Sequence, residues 1–128
     1  YNDSKGTNVG ATVSALRGFD RGDSSRTVLI AGGDCKDADF TSLIEPLRDC
    51  VRAVVLLGRD APMIESIIPD SVPRIQVADM RAAVEQASAL ARPGDRVLLS
   101  PACASFDMFG GYAERGDVFI REVRRLLA

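Results

Sequence analysis

Histidine is absent from this chain of 128 residues. That absence excludes Ser–His and Cys–His nucleophile pairs within the chain. Lysine is nearly absent too: Lys5 and Lys36 stand against fourteen arginines. No excess of basic charge exists, because the formal net charge is −2; a nucleic-acid-binding face would normally be basic. No apolar run approaches the ~20 residues of a membrane span, and no signal-peptide pattern is visible. Cysteines number three, Cys35, Cys50 and Cys103, with no Cys-x-x-Cys spacing. A structural zinc site is therefore not expected. An odd cysteine count in a chain not built around bridges reads as reduced thiols in a cytoplasmic protein. A chain of this size buries roughly two-thirds of its unfolded surface and needs neither a metal nor a disulfide to hold its core.

What is present is an alternation of strand and helix patterns, without repeats, low-complexity tracts or a domain linker. Val9, Val13 and Leu16 recur at helical spacing, so the segment from Thr7 to Leu16 reads as a helix with Thr7 or Asn8 near its N-cap. Thr27 to Ala31 reads as a short buried strand stopped by Gly32-Gly33, and Val51 to Leu57 as the clearest strand. Between them Thr41 to Asp49 is a short helix that tolerates Pro46 only in its first turn. Ala61 to Ile68 is a helix bounded by Pro62 and Pro69. Arg74 to Val77 is a strand, Asp79 caps a helix running to about Ala91, and Val97 to Leu99 is a further strand. Asp117 to Leu127 closes the pattern as a helix.

The strand runs are nearly continuous in apolar character, as expected where both faces of a sheet are covered. The pattern predicts an α/β, Rossmann-like three-layer domain with a mostly parallel sheet of about five or six strands. In such sheets ligands bind outside the carboxyl ends of the strands. That rule selects four stretches: Asn2 to Asn8, Gly32 to Asp39, Gly58 to Asp60, and Ser100 to Tyr112.

Asp3-Ser4-Lys5-Gly6-Thr7-Asn8 stands ahead of a helix, whose free N–H groups suit an anion; plain helix capping is the alternative. Gly32-Gly33-Asp34-Cys35-Lys36 follows a strand, and its glycines allow close backbone approach. It is neither a dinucleotide fingerprint nor a P-loop, and a turn with a solvated lysine explains it equally well. Both lysines fall in strand-end loops, where a compact ammonium suits a phosphate or carboxylate. Ser100-Pro101-Ala102-Cys103-Ala104-Ser105 combines two hydroxyls and a thiol. Without histidine the thiol reads as a small buried residue rather than a nucleophile. Phe106, Phe109 and Tyr112 either cover a site or belong to the core.

Taken together, NDSKGTN at 2–8, GGDCKDADF at 32–40, LLSPACASFDMF at 98–109 and GYAERGDVF at 111–119 resemble the C-terminal domain of the D-glutamate-adding branch of the Mur ligase family. The resemblance runs from Asn2 to about Leu127. Other branches usually carry a histidine where this chain has Asp3-Ser4-Lys5. The resemblance implies that residues 1–128 are the amino-acid-binding domain of a three-domain ligase, with the UDP-binding and central ATPase domains outside this sequence. A chain that opens on Tyr1 with a motif directly behind it is expected to be a piece of a longer one.

The implied reaction is ATP-driven amide formation in peptidoglycan synthesis. The carboxylate of UDP-N-acetylmuramoyl-L-alanine becomes an acyl phosphate, and the amine of D-glutamate attacks it. ATP and Mg2+ are held mainly by the central domain, and no metal site is expected here. By the resemblance, Asp3 touches the ATP ribose and Lys5 lies near the phosphates and the reacting centre. Thr7, Lys36, Ser105 and the Phe106 backbone N–H receive the D-glutamate carboxylates. Tyr112 takes an aromatic place beside them that is usually phenylalanine. Gly6 replaces a common alanine, with little effect expected. Neither nucleic acid nor membrane is an expected partner. The alternative reading is a free-standing α/β module binding a small phosphorylated or dicarboxylic metabolite; a purely structural interaction domain is a third.

Overall fold

The computed structural model describes residues 1–19, 25–35, 38–103 and 109–127. Four strands make one sheet in the order β3-β2-β1-β4: β1 Thr27–Ala31, β2 Val51–Leu56, β3 Arg74–Gln76 and β4 Arg96–Leu99. Every pairing is parallel, with Leu29 opposite both Val54 and Leu98 at the centre. The expected α/β architecture and parallel sheet hold. The expected count of five or six strands does not, since the described residues form four. The nearest thing to a fifth is the stretch Tyr1–Asp3, which lies along β4 through a single parallel bridge between Asn2 and Leu99. It leaves β4 at once to make the turn that follows, so it is too short to pair as a strand.

Side chains leave successive strand residues to opposite faces, and this chain buries both. On one face Leu29, Val54, Leu56 and Leu98 pack with Leu16, Leu43, Leu47 and Ile64. These come from α1 Val9–Gly18, the 3-10 turn Thr41–Leu43, α2 Ile44–Cys50 and α3 Ala61–Glu65. On the other, Val28, Ile30, Val55 and Leu99 pack with Met80, Ala83 and Ala87 of α4 Met80–Leu90 and Phe119 of α5 Tyr112–Leu127. All five residues of β1 are buried. Each fully buried aliphatic side chain contributes roughly 1.5–3 kcal/mol, which makes β1 the spine of both layers.

The helix caps follow the sequence signals. Asn8 accepts from the Ala11 N–H at 2.9 Å and Asp79 from the Ala82 N–H at 2.8 Å. Pro46 falls in the first turn of α2, where the missing N–H costs nothing. Two helices differ from their patterns: α3 ends at Glu65, three residues before the expected Ile68, and α5 starts at Tyr112, five residues before the expected Asp117. The topology then fixes where a ligand would go. The chain steps from β1 out to β2 and β3 with α2 and α3 on one face. It returns through α4, on the other face, to place β4 on the far side of β1. The connections diverge between β1 and β4, and such a switch point opens a crevice at the carboxyl ends of its two strands.

Candidate functional site at the sheet rim

Four loops meet at that end of the sheet. The first, residues 2–8, begins on the rim of β4: the Leu99 N–H donates to the Tyr1 carbonyl at 2.9 Å, and the Asp3 N–H to the Leu99 carbonyl at 2.7 Å. A tight turn follows, with the Gly6 N–H on the Asp3 carbonyl at 2.8 Å and the Thr7 N–H on the Lys5 carbonyl at 2.8 Å. This turn presents Lys5 to solvent and leaves Thr7 half-buried at the start of α1. The half-buried Asp3 carboxylate accepts from the Ser100 hydroxyl at 2.7 Å through Oδ2. Ser100 is itself fully buried, and its carbonyl accepts from the Thr12 hydroxyl at 3.1 Å.

Gly6 stands close to the Asp3–Ser100 pair. A Cβ at this position would stand 2.6 Å from Asp3 Oδ2 and 2.8 Å from Ser100 Oγ. An alanine there would require the Asp3 and Ser100 side-chain ends to shift.

The second loop leaves β1 through Gly32 and Gly33, at φ of +125° and +139°. A side chain at Gly32 would collide with the Leu57 carbonyl at 1.9 Å. The glycine is what lets this loop cross the end of β2. The Gly32 N–H donates to the Pro101 carbonyl at 3.0 Å, tying the second loop to the fourth. The third loop, 58–60, braces the second. The Asp60 N–H donates to the Gly33 carbonyl at 3.1 Å, Asp60 Oδ2 accepts from the Cys35 N–H at 2.9 Å, and Arg59 pairs with Asp34 at 2.8 Å.

The fourth loop follows β4. Its Ala102 adopts φ 65°, the left-handed region that a non-glycine residue enters only under constraint. Its N–H donates to the Gly6 carbonyl at 2.9 Å, which joins this loop to the first. Beyond it, Cys103 is bonded to Cys35 as a disulfide, with the Cα atoms 4.6 Å apart. This corrects the expectation of three reduced thiols; only Cys50 stands outside a disulfide. The pairing joins residues 68 apart in sequence, and parallel strands β1 and β4 being neighbours is what brings them together.

The sequence-predicted residues fall around this rim unevenly. Asp3, Lys5 and Thr7 lie on the first loop. Lys36, Ser105 and Phe106 lie outside the described residues; Lys36 follows Cys35 in the chain and Ser105 comes soon after Cys103, the two residues that are covalently joined. Tyr112 opens α5 and is exposed, with its carbonyl accepting from the Ser4 hydroxyl at 2.6 Å. Phe109 is half-buried against the second core cluster.

One residue of this end escaped sequence reasoning. Arg115, only 2% exposed, donates through Nε to Ser4 Oγ at 2.9 Å, through Nη2 to the Ser4 carbonyl at 2.7 Å and through Nη1 to the Cys103 carbonyl at 3.0 Å. One guanidinium fork thereby fixes the first loop against the fourth. Next to it, Gly116 admits the first loop, since a Cβ there would lie 2.8 Å from Asn2 Nδ2. Ser100 and Asp3 pair a hydroxyl with a carboxylate at the rim, but Ser100 is fully buried and closed to a substrate. Most hydroxyls and N–H groups described at this rim are spent on joining its loops; the exposed Lys5 and the half-buried Thr7 are the described donors whose chemistry suits an anion.

The comparisons with known proteins agree with this geometry. The family model described as "Mur ligase, glutamate ligase domain" matches residues 1–103. A protein of Aromatoleum aromaticum named UDP-N-acetylmuramoylalanine–D-glutamate ligase is 58% identical over 127 residues, 98% of this chain and 26% of its own length. Proteins of the same name from Ralstonia nicotianae and Pseudomonas fluorescens are 55% and 54% identical, over 100% and 98% of this chain and 25% and 28% of their own lengths. The chain thus spans about a quarter of the length of the curated relatives it matches. With most of its residues under one family model, and with its strand-end loops gathered at one rim, the chain belongs to the Mur ligase family through the glutamate ligase domain.

Proposed function

We propose that this chain is the amino-acid-binding domain of a cytoplasmic, ATP-dependent ligase. That ligase adds D-glutamate to UDP-N-acetylmuramoyl-L-alanine in peptidoglycan synthesis, and so serves cell-wall growth and division. The observation that carries the reading is the identity of 54–58% to proteins of that name over nearly all of this chain. The UDP-binding and ATPase domains belong to the remainder of the full-length protein. Residues 1–128 alone are expected to turn over nothing.

Within this reading the rim positions a substrate and does no bond chemistry itself. D-glutamate carries two carboxylates, each of which needs donors once water is excluded. Lys36, Thr7, Ser105 and the Phe106 N–H supply them, at roughly 1.5–3 kcal/mol per charge-assisted hydrogen bond. Tyr112 flanks the same site. With both carboxylates fixed, the amine is held against the activated acyl group. Orientation of this kind lowers a barrier without any acid, base or nucleophile from this chain.

ATP, when bound, supplies the phosphoryl group that activates the acceptor carboxylate. Asp3 fits a contact with its ribose: Oδ2 is committed to Ser100, and the half-buried carboxylate can accept a sugar hydroxyl. Mg2+ is in this reading held mainly by the ATPase domain. Among the described residues no group of three or more His, Cys, Asp or Glu side chains is placed to hold a metal ion.

The test is steady-state kinetics of the full-length protein carrying Lys36→Ala. The KM for D-glutamate should rise far more than the KM for ATP. Equal changes in both would contradict the role given to Lys36. Free D-glutamate should bind the chain with a Kd on the order of millimolar, about −4 kcal/mol.

A further inference from the structure

The end of the sheet opposite the loop rim carries a cavity of about 350 Å³, lined by Arg26, Arg48, Arg52, Arg92, Val51 and Val72 among others. Four of the chain's arginines thus surround one hollow, in a chain whose net charge is −2. Each comes from a different place in the fold. Arg26 stands directly before β1, Arg48 in the last turn of α2, Arg52 near the start of β2 and Arg92 just past α4. All four lie at the amino ends of strands. The five residues of β1, at ~3.3 Å each, put roughly 16 Å between this cavity and the rim.

Holding the fold together accounts for two of these guanidiniums. Asp95 Oδ2 accepts from Arg52 Nε and from the Arg92 N–H, each at 2.9 Å, and Oδ1 accepts from the Arg26 N–H at 2.9 Å. The charge of Asp95 is answered by the Arg52 guanidinium. Arg26 donates through Nη1 to the Asp49 carbonyl at 3.0 Å, at the end of α2 where a helix leaves carbonyls unpaired. Arg48 and Arg92 remain. Both are exposed, and among the described residues neither guanidinium has an ion-pair or hydrogen-bond partner. The Asp49 carboxylate, next to Arg48 in the chain, is taken by Arg17 at 3.2 Å.

A concave region lined by one sign of charge concentrates counter-ions. Guanidinium forks match the oxygens of a phosphate group, and the volume is that of a small-molecule site. We propose that this arginine-lined cavity is a binding site for a small ligand carrying a diphosphate group. Its oxygens bridge Arg48 and Arg92, while Arg26 and Arg52 add charge from positions that are already fixed. Two separate forks need two sets of acceptor oxygens, which a diphosphate carries on one compact group. No residue of the rim takes part, so the site stands independently of the D-glutamate reading.

The experiment uses the full-length protein, with inorganic pyrophosphate as the probe. Phenylglyoxal modifies accessible guanidiniums, and peptide mass analysis reads each arginine separately. Pyrophosphate bound elsewhere in the protein therefore does not enter the readout. With pyrophosphate at about ten times its Kd, modification of Arg48 and Arg92 should slow by about tenfold. Arg121 and Arg124, exposed on α5, should keep their rates. Arg48→Ala should raise the concentration that protects Arg92 by about tenfold, through the loss of a charge-assisted hydrogen bond. Arg92→Ala should do the same for Arg48. Both side chains are exposed, so neither substitution opens the core. Unchanged rates at Arg48 and Arg92 would overturn the site, and so would equal slowing at Arg121 and Arg124, which marks a general ionic effect. Equal protection by succinate would overturn the diphosphate class. If Arg48 and Arg92 resist phenylglyoxal before any pyrophosphate is added, the cavity is closed in the full-length protein and the proposal fails.

Discussion

Arg115 and Ser4 hold each other twice: the guanidinium donates to the Ser4 hydroxyl at 2.9 Å and to its carbonyl at 2.7 Å. The third arm reaches the Cys103 carbonyl. Removing the side chain leaves buried acceptors without donors, a loss of about 3 kcal/mol. Arg115→Ala should lower the denaturant midpoint accordingly, and Arg115→Lys should recover less than half, because a single ammonium cannot span the fork. A lysine variant as stable as the native chain would refute the forked role.

Gly32 is predicted to be intolerant. Alanine there must adopt φ +125° and place its Cβ 1.9 Å from the Leu57 carbonyl oxygen. Backbone strain of ~1–3 kcal/mol adds to overpacking of similar size. Thermal unfolding of Gly32→Ala should show a midpoint lower by roughly 10 °C or more. Gly94, also at positive φ but with open space around it, is the control and should cost far less.

These two residues divide what the sequence shows from what it hides. Gly32 is legible, because a glycine pair ending an apolar run marks a strand exit. The strands themselves are legible for the same reason: a continuous apolar run such as Ala53 to Leu56 leaves no choice but burial on both faces. Arg115 is not. It sits between Glu114 and Gly116 in a polar stretch that reads as solvated loop, and its burial comes from packing against Ser4, 111 residues away. Gly116 also hides the true start of α5, since an interior glycine weakens a helix. Only the approach of Asn2 explains why it is tolerated. The disulfide is hidden in another way. Three cysteines do not specify a pairing, and Cys35 meets Cys103 only because β4 is inserted beside β1.

Acid should weaken the opposite end of the domain. Asp95, its side chain 1% exposed, accepts from Arg52 Nε at 2.9 Å and from the Arg26 and Arg92 N–H groups at 2.9 Å each. The Arg52 hydrogen bond, with those two N–H donors, holds its carboxyl well below the usual carboxylate range. The folded chain therefore keeps this charge at a pH where the unfolded chain takes up a proton. The resulting stability is complete above about pH 5 and is lost as pH falls from there toward the folded value. Asp95→Asn should cost about 3 kcal/mol at neutral pH. Its deficit against the native chain should shrink between about pH 5 and about pH 2, measured by urea unfolding at each pH. A deficit independent of pH would show that the charge is not what stabilises.

The two lysines should separate in kinetics if the ligase reading is right. Lys5 is exposed at the tip of a turn whose flanking residues, Asp3 and Thr7, are fixed by hydrogen bonds on either side. Its proposed place beside the phosphates means that it acts on developing charge, whereas Lys36 acts on a carboxylate present before and after reaction. Removing an interaction made chiefly in the transition state lowers kcat; removing uniform binding raises KM. In the full-length protein Lys5→Ala should reduce kcat by about 100-fold, with the KM for D-glutamate changed by less than about threefold. Lys36→Ala should do the reverse. Arginine at position 5 should restore little, because its planar fork occupies more room than a compact ammonium. If Lys5→Ala instead raises the D-glutamate KM and leaves kcat alone, the turn carrying Lys5 serves the amino acid and not the phosphates.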